Sequence, residues 1–458
     1  MKRAVTTVVV VFFVGALSLV TAGASAAAPA ADTPTFTKDV APILYEHCVV
    51  CHRPGEVAPM TLIRYEDVRP WSRAIKAKVE SREMPPWHAD PRFGEFRNAR
   101  GLTGEQVATI VAWSDGGAPR GTAADLPVVP AFPDGWAGGE PTYIIEMPVE
   151  FELPTQGEID YHNFYTPVPF PEDVFLKGIE MRPGNRAAVH HAGAYNVELS
   201  AHTHLKDGLL YWDADDQLVE LGTVRQTSRE TLAGVTPGSE KLISYVPGRG
   251  YEEYVRGAAK RLSAGKMIHF HMHYQPTGRP ERDRTLLGLY EYEGRPTHEV
   301  VNSLSAVGPS TYIAAGSELQ SLTLPVIPPM VEDWELIGIT AVPNAITIHG
   351  LSPHLHLRGK SMTYVVTYPD GRSETLLSVP NYDFNWQHYY DFAEPKRVPA
   401  GSTIMVRTLF DNSLKNRYNP APDKEVYWGE QSWDEMYAPQ IRVTLDRYDL
   451  SKPPGKTQ

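Results

Sequence analysis

The sequence predicts a multidomain protein in which a small all-α domain is followed by two all-β sandwiches of jelly-roll-like plan. Three observations carry this reading. The chain has 458 residues, more than one hydrophobic core serves. Amphipathic helical patterns fall between residues 33 and 121, whereas short alternating segments fill the rest. The content of 40 Pro, 36 Gly and 23 Tyr suits many short strands and turns. The boundaries expected are 1–26 for a signal peptide, 33–121 for the helical domain, 122–142 for a linker, and 143–296 and 297–450 for the two sandwiches.

At the N-terminus Lys2 and Arg3 precede an apolar run from Ala4 to about Leu19, and Ala24-Ser25-Ala26 forms a small-residue cleavage site. That pattern is a secretory signal peptide, and the mature chain is expected in the periplasm or outside the cell. No later stretch approaches the roughly 18 apolar residues that a membrane span needs. A formal charge of −12 argues against a nucleic-acid partner.

The helical domain begins with Phe36 to Leu44, an amphipathic lead into Cys48-Val49-Val50-Cys51-His52. A C-x-x-C-H run sets two thiols and an imidazole at the spacing of c-type haem attachment, with His52 able to ligate the iron. It uses both cysteines of the chain. A disulfide or half of a zinc site is the alternative, though zinc would need a second ligand pair nearby. A second helix is capped by Thr103-Gly104-Glu105-Gln106 and carries Ile110, Val111 and Trp113 on its apolar side. From Gly121 to Gly139, prolines and glycines with little periodicity mark the linker. Tyr143–Met147, Val174–Met181 and Leu286–Tyr292 then read as strands, and Thr363–Tyr368 turns over Pro369-Asp370-Gly371 into a hairpin.

Most of the 16 histidines fall into groups: His190-His191, His202-Thr203-His204, His269-Phe270-His271-Met272-His273 and His354-Leu355-His356. An H-x-H on a strand puts both imidazoles on one face, where two neutral nitrogens can share a metal ion. Nitrogen ligation without thiolate suits copper or zinc. Any one group alone is as readily a core or surface pair.

Two resemblances follow. Residues 33–121, with the haem motif and the closing Trp113-Ser114-Asp115-Gly116-Gly117-Ala118-Pro119, resemble a small class I cytochrome c. In that family a methionine after the motif supplies the sixth iron ligand, and Met84 in Arg82-Glu83-Met84-Pro85-Pro86-Trp87 matches it, with Met60 and His88 competing. From about Glu146 to Asp449, the order His190-His191, His271-Met272-His273-Tyr274, His354-Leu355-His356 and Trp428 to Met436 resembles the copper type II, ascorbate-dependent monooxygenases. This is the family of dopamine β-monooxygenase and peptidylglycine α-hydroxylating monooxygenase.

The second resemblance implies two copper ions. His190, His191 and His273 would hold the electron-transfer copper, and His354, His356 and Met436 the copper that meets oxygen. His271 could replace His273, and His202-Thr203-His204 could stand for the pair at 354. A thioether at Met436 would favour Cu(I). The chain also departs from the family. Its only cysteines lie in the haem motif, and the positions that hold a peptide carboxylate in one branch are Ser352, Ala438 and Gln440 here. The function implied is hydroxylation of a C–H bond of a small organic substrate with molecular oxygen, electrons passing singly through one covalent haem c from an unknown donor. A non-catalytic periplasmic electron-transfer or copper-binding protein is the alternative. A zinc hydrolase is a third reading, but no general base such as H-E-x-x-H supplies stands beside the histidine pairs.

Overall fold

Proline 42 opens the helix Ala41–His47, which follows a single wide turn over Phe36–Val40 and buries Ile43, Leu44 and Tyr45 before ending at Cys48. In the computed structural model, the described residues are 33–132, 135–157, 159, 161–199, 201, 203–212, 216, 240–317, 320–429 and 431–446. The expected signal peptide and the last residues of the second sandwich lie outside the described residues. Further helices span Tyr65–Val68, Ser72–Glu80 and Gly104–Asp115. The last starts with a capping box, Gln106 N–H donating to Thr103 Oγ1 at 3.1 Å and Thr103 N–H to Gln106 Oε1 at 2.9 Å. Phe36, Val40, Leu44, Ile110 and Trp113 pack at their centre.

These elements do not make the all-α domain expected for 33–121. The helices Ala41–His47, Tyr65–Val68, Ser72–Glu80 and Gly104–Asp115 are 7, 4, 9 and 12 residues long, and the chain is mostly β. The helix Ser72–Glu80 is capped at Ser81, Arg82 follows at φ +60°, and Pro85 and Pro86 then disfavour a new helix. The segment after them joins the far end of the protein: Asp90 N–H donates to Ser378 O at 2.8 Å, Arg97 N–H to Asp391 O at 2.9 Å and Ala393 N–H to Glu95 O at 2.8 Å. Trp87 and Phe96 pack edge-on against Tyr390 and so belong to the core of the second sandwich.

The β region is built on one long sheet. Its order is Tyr143–Glu146, Leu286–Glu291, Val174–Arg182, Ala258–Leu262, His298–Val301, Ala438–Leu445, Ile346–His354 and Tyr390–Val398, with Tyr251–Glu253 beside Val174–Arg182. Two smaller sheets face it. The first is His162–Pro167, Met267–Tyr274, Val189–Val197 and Glu240–Tyr245. The second is Ser310–Ala314, Trp334–Val342, Ser402–Phe410, Gly359–Thr367 and Ser373–Val379. Two large apolar cores follow, one centred on Leu176, Ile179, Phe270 and Leu287, the other on Leu351, Tyr364, Ile404 and Ile441. The expected boundary at 296 falls just before His298–Val301, the strand that pairs with both halves.

Period-2 alternation positions the site. In Met267–Tyr274 the residues Ile268, Phe270, Met272 and Tyr274 are buried in the first core, which turns His269, His271 and His273 to the opposite face. Among the described residues, no helix is long and apolar enough to cross a membrane.

Between the halves lies a buried ion network. Arg442, 2% exposed, stands 2.9 Å from Glu252 and also pairs with Asp391, which Arg249 meets at 3.1 Å. Truncating the shared cation leaves two buried carboxylates undercompensated. Arg442→Met should therefore destabilise the protein by about 3–5 kcal/mol, read as a lower urea midpoint; an unchanged midpoint would show that the two halves hold together without the network.

Candidate metal centre

Neighbouring residues of a regular strand point to opposite faces, so His190 and His191 need a local irregularity to act together. A β-bulge supplies it. His273 pairs with His191 and Tyr274 with Val189, which leaves His190 as the extra residue. The three Nδ1 atoms then converge: His190 to His191 3.1 Å, His191 to His273 3.4 Å, His190 to His273 3.5 Å. A point equidistant from them lies about 1.9 Å from each, the mean edge divided by √3, close to the roughly 2.0–2.1 Å of a histidine–zinc bond. This cluster is able to hold a metal ion. Burial is the main cause that lowers the pKa of His190 to about 4 and of His273 to about 3, so their nitrogens are lone-pair donors at neutral pH. His191 Nε2 is 2.6 Å from the Tyr161 hydroxyl, a contact that fixes its ring and leaves Nδ1 for the cluster.

His271 stands apart from this triad. Its Nδ1 is 2.7 Å from Asn163 Oδ1, which also meets His269 Nε2 at 2.7 Å, and its ring stacks on Tyr161 with centroids 4.4 Å apart. His204 pairs with Asp216 at 2.9 Å on an exposed hairpin, and His202 lies outside the described residues.

The strand Ile346–His354 carries His354 to the cavity, and His356 follows two residues on, the ring centroids 5.3 Å apart and nearly perpendicular. Gln387 Oε1 takes the Nδ1 side of His354. Neither ring nitrogen of His356 has a hydrogen bond of ordinary geometry, although main-chain groups of Gln431 and Asp434 lie near. A buried imidazole left in that state suits metal ligation. Met436 lines the same cavity as His354. Glu435, fully buried, organises the group by accepting N–H bonds from His356, Arg358 at 3.0 Å and Met436 at 2.9 Å. Burial raises its pKa to about 7, opposed by these bonds. Sequence reasoning assigned Glu435, Gln387, Asn163 and Tyr161 no role; Glu435 lies between Trp428 and Met436, but nothing local marks a carboxylate as a clamp.

The two histidine groups share neighbours. The Phe384 ring is 5.7 Å from that of His191 and 6.0 Å from that of His356, and Tyr161 is 5.6 Å and 6.3 Å from the same two. A cavity of about 280 Å³ is lined by His191, His354 and Met436 together.

In the haem-motif loop, Cys51 N–H and His52 N–H both donate to Cys48 O, at 3.1 and 3.0 Å. Both thiols are free, and burial, then the neighbouring Cys51, pushes Cys48 up to about 12. His52 Nδ1 is 3.3 Å from Met60 O, which leaves Nε2 for an iron. The donor set therefore fits a covalent haem. Met60 packs beside this loop, whereas half-buried Met84 follows Ser72–Glu80 with its N–H on Lys78 O at 3.1 Å, and His88 lies by Asp383 of the second half. The loop is docked on the first sandwich: Glu56 bridges Arg53 at 2.7 Å and Arg186, and a Cβ added at Gly248 would come 3.0 Å from Cys51 Sγ. Gly248 has φ +80°, so a side chain there is doubly disfavoured.

No protein-family model and no curated protein matches this chain. Among solved structures, the N-terminal CBM22-1-CBM22-2 tandem domain of Xyn10C from Paenibacillus barcinonensis aligns at 8% identity over 63% of this chain and 78% of its own, with a TM-score of 0.12. A likeness that weak carries no argument.

His273→Ala should abolish tight metal binding at the triad while His271→Ala preserves it, in a titration followed by metal analysis; the reverse result would exchange their roles. A pH effect also follows. The unfolded chain protonates histidine near 6.5, whereas His190, His273 and His354 stay neutral to about 4, 3 and 4 when folded. Below 6.5 the unfolded state therefore binds more protons, and metal-free protein should lose about 1.4 kcal/mol per pH unit for each such histidine. Denaturant midpoints between pH 7 and 4.5 should fall accordingly; a flat profile would refute the buried neutral state.

Proposed function

We propose that the chain is an exported copper-dependent monooxygenase that hydroxylates a C–H bond of a small organic substrate, with a haem at the Cys48–His52 loop relaying electrons. The observation that supports this best is the Nδ1 triangle of His190, His191 and His273 facing His354, His356 and Met436 across Tyr161 and Phe384. The overall change is R–H + O₂ + 2e⁻ + 2H⁺ → R–OH + H₂O. The two electrons come from a one-electron donor upstream of the haem, and the protons from solvent. When bound, two coppers would supply electron storage and oxygen reduction.

The protein's own residues do the positioning. The bulge at His190 aims three neutral nitrogens at one point. Glu435 ties the backbone of His356, Arg358 and Met436 into one rigid group, and Gln387 orients His354. A soft thioether beside two imidazoles favours Cu(I), the state that meets oxygen. The ion pair Glu56–Arg186 docks the haem-motif loop four residues before His190, a short through-protein route for electrons.

The test is metal content followed by rapid mixing. Two coppers and one haem per chain are expected, and pre-reduced haem should reoxidise with oxygen at a rate independent of protein concentration only when copper is bound. Met436→Leu should abolish hydroxylation with little loss of stability, and His190→Ala should slow haem reoxidation. Copper without oxygen consumption would leave a carrier protein, and zinc in the sites would leave a hydrolase.

A further inference from the structure

The cavity beside Met436 holds two polar groups that the metal reading does not use. Lys241, from the strand Glu240–Tyr245, lines this cavity together with His191, His271 and His354, and burial lowers its pKa to about 7, so that a bound anion would favour its ammonium form. Its near contacts are Gln440 Oε1 at 2.9 Å, an oxygen that also accepts from the Tyr389 hydroxyl at 3.0 Å, and the Tyr195 ring at 5.6 Å. Among the described residues no carboxylate forms a salt bridge with it. The nearest acidic influence is Glu252, which is already committed to Arg442. Asn302 lines the same cavity, is 4% exposed, and has no hydrogen-bond partner for either side-chain polar atom. A buried amide with both ends unmet and a lysine lacking a counter-ion each carry a desolvation penalty, which a ligand of suitable charge would offset.

We propose that this cavity binds the carboxylate of a small organic acid, Lys241 and Asn302 donating to its oxygens, with Ser352 as a neighbouring hydroxyl. Lys241 and Asn302 are not among the positions at which the peptide-hydroxylating branch holds its carboxylate, although those positions, here Ser352, Ala438 and Gln440, line the same cavity. About 280 Å³ lies below the usual range for drug-sized ligands, so the acid is compact. His354 and Met436 line the same cavity, so the bound acid lies beside them. The anion site stands on Lys241 and Asn302 alone; that its ligand is the substrate rests on the monooxygenase reading.

The experiment is calorimetric titration of the full-length protein, metal-free and copper-loaded, with benzoate and hexanoate against benzamide and hexanamide as uncharged counterparts. The acids should bind metal-free protein at least about tenfold more tightly than the amides. Lys241→Met should erase that preference, with Lys241→Gln as a second neutral variant should the first fail to fold, whereas Lys241→Arg should keep it. Asn302→Ala should weaken the acids and leave the amides less affected. Equal binding of acids and amides, no acid binding at all, an acid preference that survives Lys241→Met, or one present only with copper bound would each overturn the proposal. Copper stoichiometry in the same samples separates the readings. Fewer than two coppers with a Lys241-dependent acid preference would sink the monooxygenase and keep the anion site, and the converse would do the opposite.

Discussion

Everything at the candidate site depends on holding two sandwiches at a fixed distance, and buried charge rather than an apolar seam does much of that work. Arg442 comes from the second half, Glu252 and Arg249 from the first, and Asp391 from the strand that also receives the N-terminal segment through Asn98 and Arg97. A set of charges this deep is tolerable only when every member keeps its partners, so small displacements are penalised steeply. That property makes the network a locating device. A buried guanidinium between two carboxylates has one favourable position, because charge interactions at low dielectric change steeply with distance. The continuous sheet adds a second restraint, since His298–Val301 pairs with Ala258–Leu262 on one side and Ala438–Leu445 on the other. Met436 stands two residues before the last of these strands, so the register that joins the halves also sets where its thioether lies.

Histidine spacing was readable because ligand pairs are local. An H-H or H-x-H needs only the neighbouring backbone to be aimed, and strand alternation accounts for His273 facing the site. What the sequence could not carry was the bulge. Nothing about Val189-His190-His191 says that one residue will be extra against Met272-His273-Tyr274, yet without that shift His190 and His191 would diverge. The choice of His273 over His271 has the same character. It turns on Asn163, more than a hundred residues away, which meets both His269 and His271.

The helical domain failed for a related reason. Periodicity identified a helix led by Phe36 to Leu44, which the structure holds as Phe36–Val40 and Ala41–His47, and the capping box at Thr103 is where the sequence placed it. Between them, Trp87 and Phe96 were apolar residues in search of a core. The helices are nearer in sequence, but Tyr390 and Phe392 offer an aromatic surface on the other half. Burial is indifferent to sequence separation once loop closure has been met, and that closure grows only slowly with length. The N-terminal segment is consequently a brace across the sandwiches rather than a tethered module.

That brace changes what the haem-motif loop can do. A tethered domain would meet the histidine clusters by diffusion within the reach of its linker, at roughly millimolar effective concentration. Here the loop is pinned by Glu56–Arg186 and by the close approach of Cys51 to Gly248, and the strand after Arg186 is the one that carries His190. Tyr245 and Val246 precede Gly248 closely and line the cavity with His191. The same hairpin therefore approaches the Cys51 thiol at its turn and lines the histidine cavity along its strand. A rigid bridge of this kind trades the search of a mobile carrier for one fixed route, and it makes Arg186 and Gly248, neither of them a ligand, the positions through which the loop and the histidine triad are mechanically coupled.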